Sequence, residues 1–135
     1  MERLIYLLDS NAVSDFLNHQ PVLKLRVENA IARDHLVCLA QPVHYEVSRG
    51  LLKVGATRKL TAFEDEFVPQ LDWLALADRD WREAAKLWAD ATRKGKQLSD
   101  VDFLLAALAI RFNAILVSSD NDFDVLPVRR ENWRV

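Results

Sequence analysis

The sequence predicts an α/β domain in which helices cover a mainly parallel sheet. Short apolar runs without helical period recur along the 135-residue chain, which is typical of buried parallel strands. Between them lie segments whose apolar residues recur every three to four positions, as in amphipathic helices. This alternation favours a layered α/β architecture, and no linker, repeat or low-complexity stretch interrupts it. We therefore expect a single domain over residues 1–135.

The strands are predicted from four apolar runs. They occupy residues 4–8, 36–40, 71–76 and 114–117. Each run is short and carries no helical period, so we expect both faces of the sheet to be covered by helices.

The helix ends are marked by capping residues, prolines and glycines. Ser10 can cap a short first helix, and Pro21 and Pro42 stand at first-turn positions that proline tolerates. Gly95 stops the fifth helix and Ser99 begins the sixth. The third and fourth helices would form a helical hairpin inserted between two strands. The predicted helices span residues 10–17, 21–33, 42–54, 57–68, 81–95 and 99–113.

Composition narrows the class of protein. The net charge of −2 gives no global nucleic-acid signature, and no apolar run approaches the ~18–20 residues that span a bilayer. The N-terminus lacks a signal-peptide pattern, so we expect a cytoplasmic protein with no membrane partner. Cys38 lies in an apolar run and is expected to be a buried, inert thiol. Trp81 and Trp88 share a helix face and are expected in the core rather than stacked on bases.

Four acidic residues stand where ordinary surface carboxylates would not be placed. Asp9 and Asp120 follow apolar runs. Glu46 falls on the apolar stripe of its helix, where Gly50 would allow close backbone approach, and Asp102 opens an almost wholly apolar helix. Ligands bind outside the carboxyl ends of parallel strands, and clustered carboxylates with no fixed cation are costly to desolvate. Divalent Mg²⁺ or Mn²⁺, which prefer oxygen ligands, would relieve that cost.

Each of these acids also has a structural alternative. Asp9 opens a run of helix-capping residues, and Glu46 could snorkel to water from the edge of its stripe. Asp120 lies in a polar turn, where aspartate is common for backbone reasons. A helix N-terminus favours negative charge at Asp102, and Asp100 is expected to cap that helix or to support the site from outside.

Four blocks, in order and over nearly the whole chain, resemble PIN-domain ribonucleases, specifically the VapC-type toxins of bacterial toxin–antitoxin pairs. They match the family's Asp-Thr/Ser-Asn/Ser start, Glu-x-x-x-Gly helix, Asp-x-x-Ile-Ala-Ala block and Val-Thr-x-Asp-x-Asp-Phe block. The end of the chain is similar to the family's closing strand and Glu-Asn-Trp tail. The matching segments are Leu8 to Asn11, Glu46 to Gly50, Asp102 to Ala107, Val117 to Phe123 and Leu126 to Trp133.

The resemblance implies a PIN-like three-layer α/β/α domain that acts as a Mg²⁺- or Mn²⁺-dependent endoribonuclease. Such a site polarises the scissile phosphate and activates water, through one ion or two. The metal ligands and catalytic residues it implies are Asp9, Glu46, Asp102 and Asp120. Supporting side chains are expected at Asn11, Ser118, Asp122 and Asp100.

The expected partners are RNA, a cognate antitoxin protein and a second copy of the chain. RNA phosphates could contact the basic segment Arg93-Lys94-Gly95-Lys96, or Arg49, although basic residues are also favoured at a solvated helix C-terminus. The helical hairpin carries apolar residues that could form a dimer face or an antitoxin groove, with ordinary core packing as the alternative. These residues are Leu51, Leu52, Leu60 and Phe63.

Rival functions differ in what they require of the sequence. A phosphohydrolase of the haloacid-dehalogenase type also begins with a strand, an aspartate and a helix, but it needs a second acid where Asn11 stands. A PIN nuclease of general RNA processing would carry the same four acids. A non-catalytic binding module of the same fold would have no need to retain them.

Overall fold

Five parallel strands form one sheet in the order β3-β2-β1-β4-β5, in a computed structural model that describes residues 2–135. The strands are β1 (Ile5–Leu8), β2 (Leu36–Ala40), β3 (Asp72–Leu74), β4 (Ile115–Val117) and β5 (Arg129–Glu131). The central strand is β1, in which Tyr6 pairs with Val37 on one side and Ile115 on the other. Because every pairing is parallel, all five strands end at the same edge of the sheet. The predicted α/β class is confirmed.

Six α-helices connect the strands. They are α1 (Ser10–Leu17), α2 (Pro21–Ala32), α3 (Gln41–Lys53), α4 (Thr57–Ala62), α5 (Asp78–Arg93) and α6 (Asp100–Phe112). The helix predicted to reach residue 68 changes after Ala62 into a π-helical turn (Phe63–Phe67) and then a 3₁₀ turn (Val68–Gln70). Pro69 has no amide hydrogen and its ring clashes with the preceding turn, so a regular helix cannot run through it.

Helix α6 is buried on nearly all sides, as its composition predicts. Leu105, Ala106 and Leu108 have no exposed surface. The helix packs against β1 and β4 and also against α3 and α5. Because α6 leads into the start of β4, its own first turn lies at the opposite edge of the sheet, where the strands end. This position brings Asp102 toward the ends of the central strands.

The core-facing side of α5 differs from the prediction. Trp81 and Trp88 are 58% and 52% exposed, so the expectation that they lie in the core is wrong. The buried apolar residues of this helix are Ala84, Leu87 and Ala91. Small alanine side chains let α5 approach α6 closely, and a face that carries two indole rings could not do so.

The helical hairpin of α3 and α4 exposes fewer apolar side chains than the sequence predicts. Phe63 is completely buried and so cannot contribute to an outer face, whereas Leu52 is 65% exposed. Val54, the C-cap residue of α3, is exposed as well. No atom lies within 4 Å of the position that a Cβ at Gly50 would take. The expectation that Gly50 serves a close approach is therefore wrong.

The expectation for Cys38 agrees with the structure. Cys38 is buried, and burial raises the pKa of its thiol to about 12, so the thiol stays protonated and unreactive. In residues 2–135, no helix combines the length and the apolar character needed to cross a bilayer.

Candidate active site

Asp9 follows β1 directly and is buried, with 5% of its surface exposed. Its backbone amide donates to the carbonyl of Val117 at 2.9 Å, which ties it to the end of β4. Its Oδ1 accepts a hydrogen bond from the amide of Ser10 at 2.7 Å. Asp9 therefore caps α1, and the prediction that Ser10 is the cap is wrong by one residue. The extended backbone of an N-cap residue is found at Asp9, whereas Ser10 is already helical.

The second carboxylate oxygen of Asp9 is held by two side chains. Ser118 Oγ donates to Oδ2 at 2.7 Å, and Asn11 Nδ2 donates to the same oxygen at 3.0 Å. Ser118 is itself 1% exposed, and its hydroxyl oxygen accepts the backbone amide of Asp120 at 3.0 Å. One buried serine thus links the ends of β1 and β4, and Asn11 and Ser118 lie where the supporting residues were expected.

The charge on Asp9 is poorly compensated. Burial is the main cause that raises the pKa of Asp9 from 3.8 to about 6. The negative charges of Asp102 and Glu46 act in the same direction, while hydrogen bonds from Ser118 and Ser10 oppose it. A carboxylate in this state gains stability from a bound cation.

Glu46 reaches the site from α3. The hydroxyl of Ser10 donates to its Oε1, and Arg49 Nη2 lies 3.5 Å from its Oε2. The Arg49 guanidinium also lies over the ring of Tyr45, 5.1 Å from the centroid. The acids were expected to have no fixed cation beside them. That expectation is wrong at Glu46, because one helical turn places Arg49 within reach.

Asp102 lies in the first turn of α6 and forms a capping box. Its Oδ2 accepts the amide of Ser99 at 3.0 Å, while Ser99 Oγ accepts the amide of Asp102 at 3.2 Å. The cap is thus Ser99, and the expectation of Asp100 as the cap is wrong. Burial raises the pKa of Asp102, the charges of Glu46 and Asp120 raise it as well, and the Ser99 hydrogen bonds lower it.

Asp120 completes the group of acids beyond the end of β4. Its Oδ1 accepts the amide of Asp122 at 2.9 Å, which caps the 3₁₀ turn Asn121–Val125. The side chain of Asp122 is exposed, so its backbone is what holds Asp120. Arg130 lies nearby, donating to the carbonyl of Ser118 at 3.1 Å.

Three residues of this network were missing from the predicted site. Ser10 positions Glu46, Ser99 positions Asp102, and Arg130 holds the backbone at the end of β4. The spacing of Ser99 and Asp102 is that of a capping box and could have been noticed in the sequence. The contact between Ser10 and Glu46 joins residues far apart in the chain, and no local pattern indicates it.

The remaining predicted residues are all exposed. Arg93 and Lys94 are exposed and pair with Asp90 at 3.8 and 2.9 Å. Lys96 is also exposed, in the loop between α5 and α6, and this loop leads into the turn that carries Asp102. Asp100 is exposed and lines a groove between α5 and α6.

The oxygen atoms of these acids are donors that a divalent cation binds, but the carboxylate groups do not converge on one point. In the part of the chain that the structure describes, no group of three or more His, Cys, Asp or Glu side chains is close enough to hold a metal ion. The negative charges of neighbouring acids nonetheless contribute to the raised pKa values of Asp9 and Asp102. Carboxylate oxygens are the ligands that Mg²⁺ and Mn²⁺ prefer. The residues present therefore fit such an ion.

The chain belongs to the PIN domain family, whose profile matches residues 6–128. The family predicted from the four sequence blocks is confirmed.

Relatives that match about two thirds of this chain carry the name VapC. Ribonuclease VapC11 of Mycobacterium tuberculosis and a VapC ribonuclease of Mycobacterium bovis are each 34% identical to this chain over 92 residues. The match covers 67% of this chain and spans 66% of the length of each relative.

Solved structures share the fold over almost the whole chain. The structure of VapBC2 from Rickettsia felis bound to a DNA fragment from their promoter has a TM-score of 0.86 and 24% identity, covering 96% of this chain and 99% of that one. DNA-bound VapBC from Salmonella typhimurium has a TM-score of 0.82 and 22% identity, covering 96% and 98%. The predicted PIN-like architecture is confirmed.

Proposed function

We propose that this protein is a divalent-metal-dependent endoribonuclease and the toxin of a toxin–antitoxin pair. The observation that carries the proposal is the buried Asp9 carboxylate at the end of the central strand, whose pKa is raised by burial and by neighbouring acids. The similarity to VapC ribonucleases supports RNA as the substrate. The oxygen-only donor set supports Mg²⁺ or Mn²⁺ as the ion.

In this proposal the cation is held by Asp9, Glu46, Asp102 and Asp120. A bound ion would polarise the scissile phosphate and lower the pKa of an attacking water. Ser118 and Asn11 fix the orientation of the Asp9 carboxylate through hydrogen bonds to one oxygen. Such supporting hydrogen bonds hold ligands in place before the ion arrives and so reduce the cost of binding it.

Basic side chains at the rim would bind the RNA backbone. Arg49 is half exposed and lies against Glu46, which supports a contact between its guanidinium and a phosphate next to the ion. The loop that carries Arg93, Lys94 and Lys96 leads into the first turn of α6 and offers a second phosphate contact.

We also propose an antitoxin partner and a homodimer. The support is the exposed apolar surface of the helical hairpin, where Tyr45, Leu52 and Val54 are each more than half exposed. Sedimentation of wild-type protein and of a Leu52→Glu variant tests the dimer. A dimer that loses affinity on this change supports the assignment, and a wild-type monomer at tens of micromolar contradicts it.

The activity is tested by RNA cleavage with and without chelator. We expect cleavage in Mg²⁺ or Mn²⁺, none in EDTA, and a loss of at least about 100-fold in Asp9→Asn and Asp102→Asn, because each removes a metal ligand. Asp65→Asn, the same chemical change at an exposed position on the helical hairpin, serves as control and should retain full activity. Undiminished cleavage in EDTA would contradict the metal mechanism. Near-normal turnover in either Asn variant would contradict that residue's assignment.

A further inference from the structure

A pocket of about 260 Å³ opens beside the candidate active site, between α1, α3 and α4. Two of its lining residues, Ser10 and Glu46, belong to the site itself, where the Ser10 hydroxyl donates to the Glu46 carboxylate. Its apolar lining consists of Leu17, Val47 and Leu51. Gly50 also lines it, and we call this feature the glycine pocket.

Gly50 has neither a conformational nor a packing role in α3. It lies inside the helix, and its φ is not positive, unlike those of Gly55 and Gly95. A glycine inside a helix is less favourable than alanine, and no atom lies within 4 Å of the position that a Cβ at Gly50 would take. Alanine would therefore fit and would stabilise the helix. What the missing side chain provides is open space in the pocket, one helical turn from Glu46.

Polar and cationic side chains also line the glycine pocket. Ser14 and Asn18 lie at the end of α1, and Lys59 comes from α4. Lys59 Nζ donates to Asn18 Oδ1 at 2.9 Å, and within residues 2–135 Lys59 makes no salt bridge. A neutral amide thus holds this cation at the pocket, and no acid neutralises it. Glu46 pairs with Arg49 instead.

We infer that the glycine pocket receives the base of the nucleotide next to the cleaved phosphate. The inference rests on the proposed ribonuclease function. If Glu46 helps to hold the ion at which the phosphate is cleaved, the neighbouring nucleotide lies against a pocket that the same residue lines. The apolar side chains would contact the faces of the base, and Ser14 and Asn18 would bond its edge. Lys59 would contact the next phosphate of the strand.

The size and charge of the pocket favour a nucleotide over a protein segment. A volume of 260 Å³ corresponds to a space about 6 Å across, whereas a helix with its side chains is ~10–12 Å wide. A docked helix would therefore insert a single side chain at most. A basic side chain that reached Glu46 through the pocket would bring its charge toward Lys59. A nucleotide brings a flat, partly apolar base together with the phosphate that a free lysine binds.

Cleavage of a random-sequence single-stranded RNA pool in Mg²⁺ or Mn²⁺, followed by sequencing of the cut ends, tests the inference. Wild type should prefer particular bases at one position next to the cut. Gly50→Leu fills the pocket and should remove this preference and lower kcat/KM about 10- to 100-fold. Gly50→Ala adds a single methyl group and should cause a smaller loss, with a melting temperature equal to that of wild type or higher. An unchanged base preference in Gly50→Leu would refute the pocket.

An RNA that lacks the base at the preferred position separates loss of the base contact from displacement of Glu46. Wild type should cleave this abasic RNA about as poorly as Gly50→Leu cleaves the intact RNA. Gly50→Leu should lose little more on the abasic RNA, because both changes remove the same contact. If the two losses multiply instead, leucine acts on Glu46 and the base does not occupy the pocket.

Binding of homopolymer RNAs of roughly six nucleotides, measured by anisotropy in EDTA, gives a test that needs no cleavage. Gly50→Leu should bind more weakly than wild type. Lys59→Gln should also bind more weakly, and its slope of log affinity against log salt should fall by about one. Lys86→Gln, the same change at an exposed position on α5, is the control and should keep the wild-type slope. An unchanged slope in Lys59→Gln would refute the phosphate contact.

These outcomes distinguish the inference from the proposed function. If wild type binds RNA through the pocket but cleaves none with Mg²⁺ or Mn²⁺, the proposed function fails while the pocket stands. If RNA is cleaved with no base preference next to the cut, the pocket fails while the proposed function stands.

Discussion

Replacing Asp9 with asparagine should change how the stability of the metal-free protein depends on pH. The pKa of Asp9 is raised from 3.8 to about 6 in the folded protein. A carboxyl with a raised pKa holds its proton more tightly when folded than when unfolded. Its contribution to stability is therefore fully present below about pH 4 and is lost as the pH rises toward 6. Asparagine carries no charge and removes this loss.

The size of this change in stability follows from the pKa shift of Asp9. About two pKa units correspond to about 3 kcal/mol between the protonated and the charged state. The substitution also has a cost that does not depend on pH. Asparagine puts an amide group where Asp9 Oδ2 accepts hydrogen bonds from Ser118 and Asn11, which costs about 1–2 kcal/mol. The variant should thus be less stable than wild type near pH 4 and as stable or more stable near pH 7.

Urea unfolding in EDTA from pH 4 to pH 7 measures this difference. The free energy of unfolding of Asp9→Asn minus that of wild type should rise by about 2 to 2.5 kcal/mol across the range, since the unfolded Asp9 is already partly ionised at pH 4. The difference for Asp65→Asn should stay flat, because that side chain is exposed. Mg²⁺ added at pH 7 should stabilise wild type more than Asp9→Asn, since the ion binds the charged site. A flat difference for Asp9→Asn, within about 0.5 kcal/mol, would refute the argument that this buried charge is uncompensated.

Two other changes test the surroundings of the site and the core. Ser118→Ala removes a buried hydrogen bond to Asp9, so thermal unfolding should show a loss of about 1–3 kcal/mol, and Mg²⁺ titration a 10- to 100-fold weaker affinity. Ser48→Ala is its control, because the buried Ser48 hydroxyl has no partner within residues 2–135, and equal destabilisation by both changes would contradict the prediction. Arg111→Met leaves Asp80 buried without its two 2.8 Å hydrogen bonds and should cost about 3–5 kcal/mol in urea unfolding. Adding Asp80→Asn to the Arg111→Met variant should restore part of the lost stability. If no stability is recovered, the loss comes from packing instead.

The sequence was sufficient to predict the family and, from their apolar runs, the first four strands, and it singled out the four acids as candidates. Strands β1 and β4 are short apolar runs, and each is followed by an aspartate at or just past its end. Such apolar runs are typical of buried strands in any parallel sheet. The apolar composition of α6 likewise required burial, whatever its neighbours were. These inferences depend on composition and period alone, which are local properties of the chain.

Only the tertiary structure decided which atoms hold each acid and which faces remain open. Asp9 and Ser118 are 109 positions apart in the chain, and they meet only because β1 and β4 are neighbours in the sheet. Trp81 and Trp88 have the spacing of a core stripe, yet they are exposed because alanines on the adjacent side of α5 pack more closely against α6. Helical period indicates that a helix has an apolar face, but the direction of that face depends on the partner helix. That direction is decided by packing between elements that are distant in the sequence.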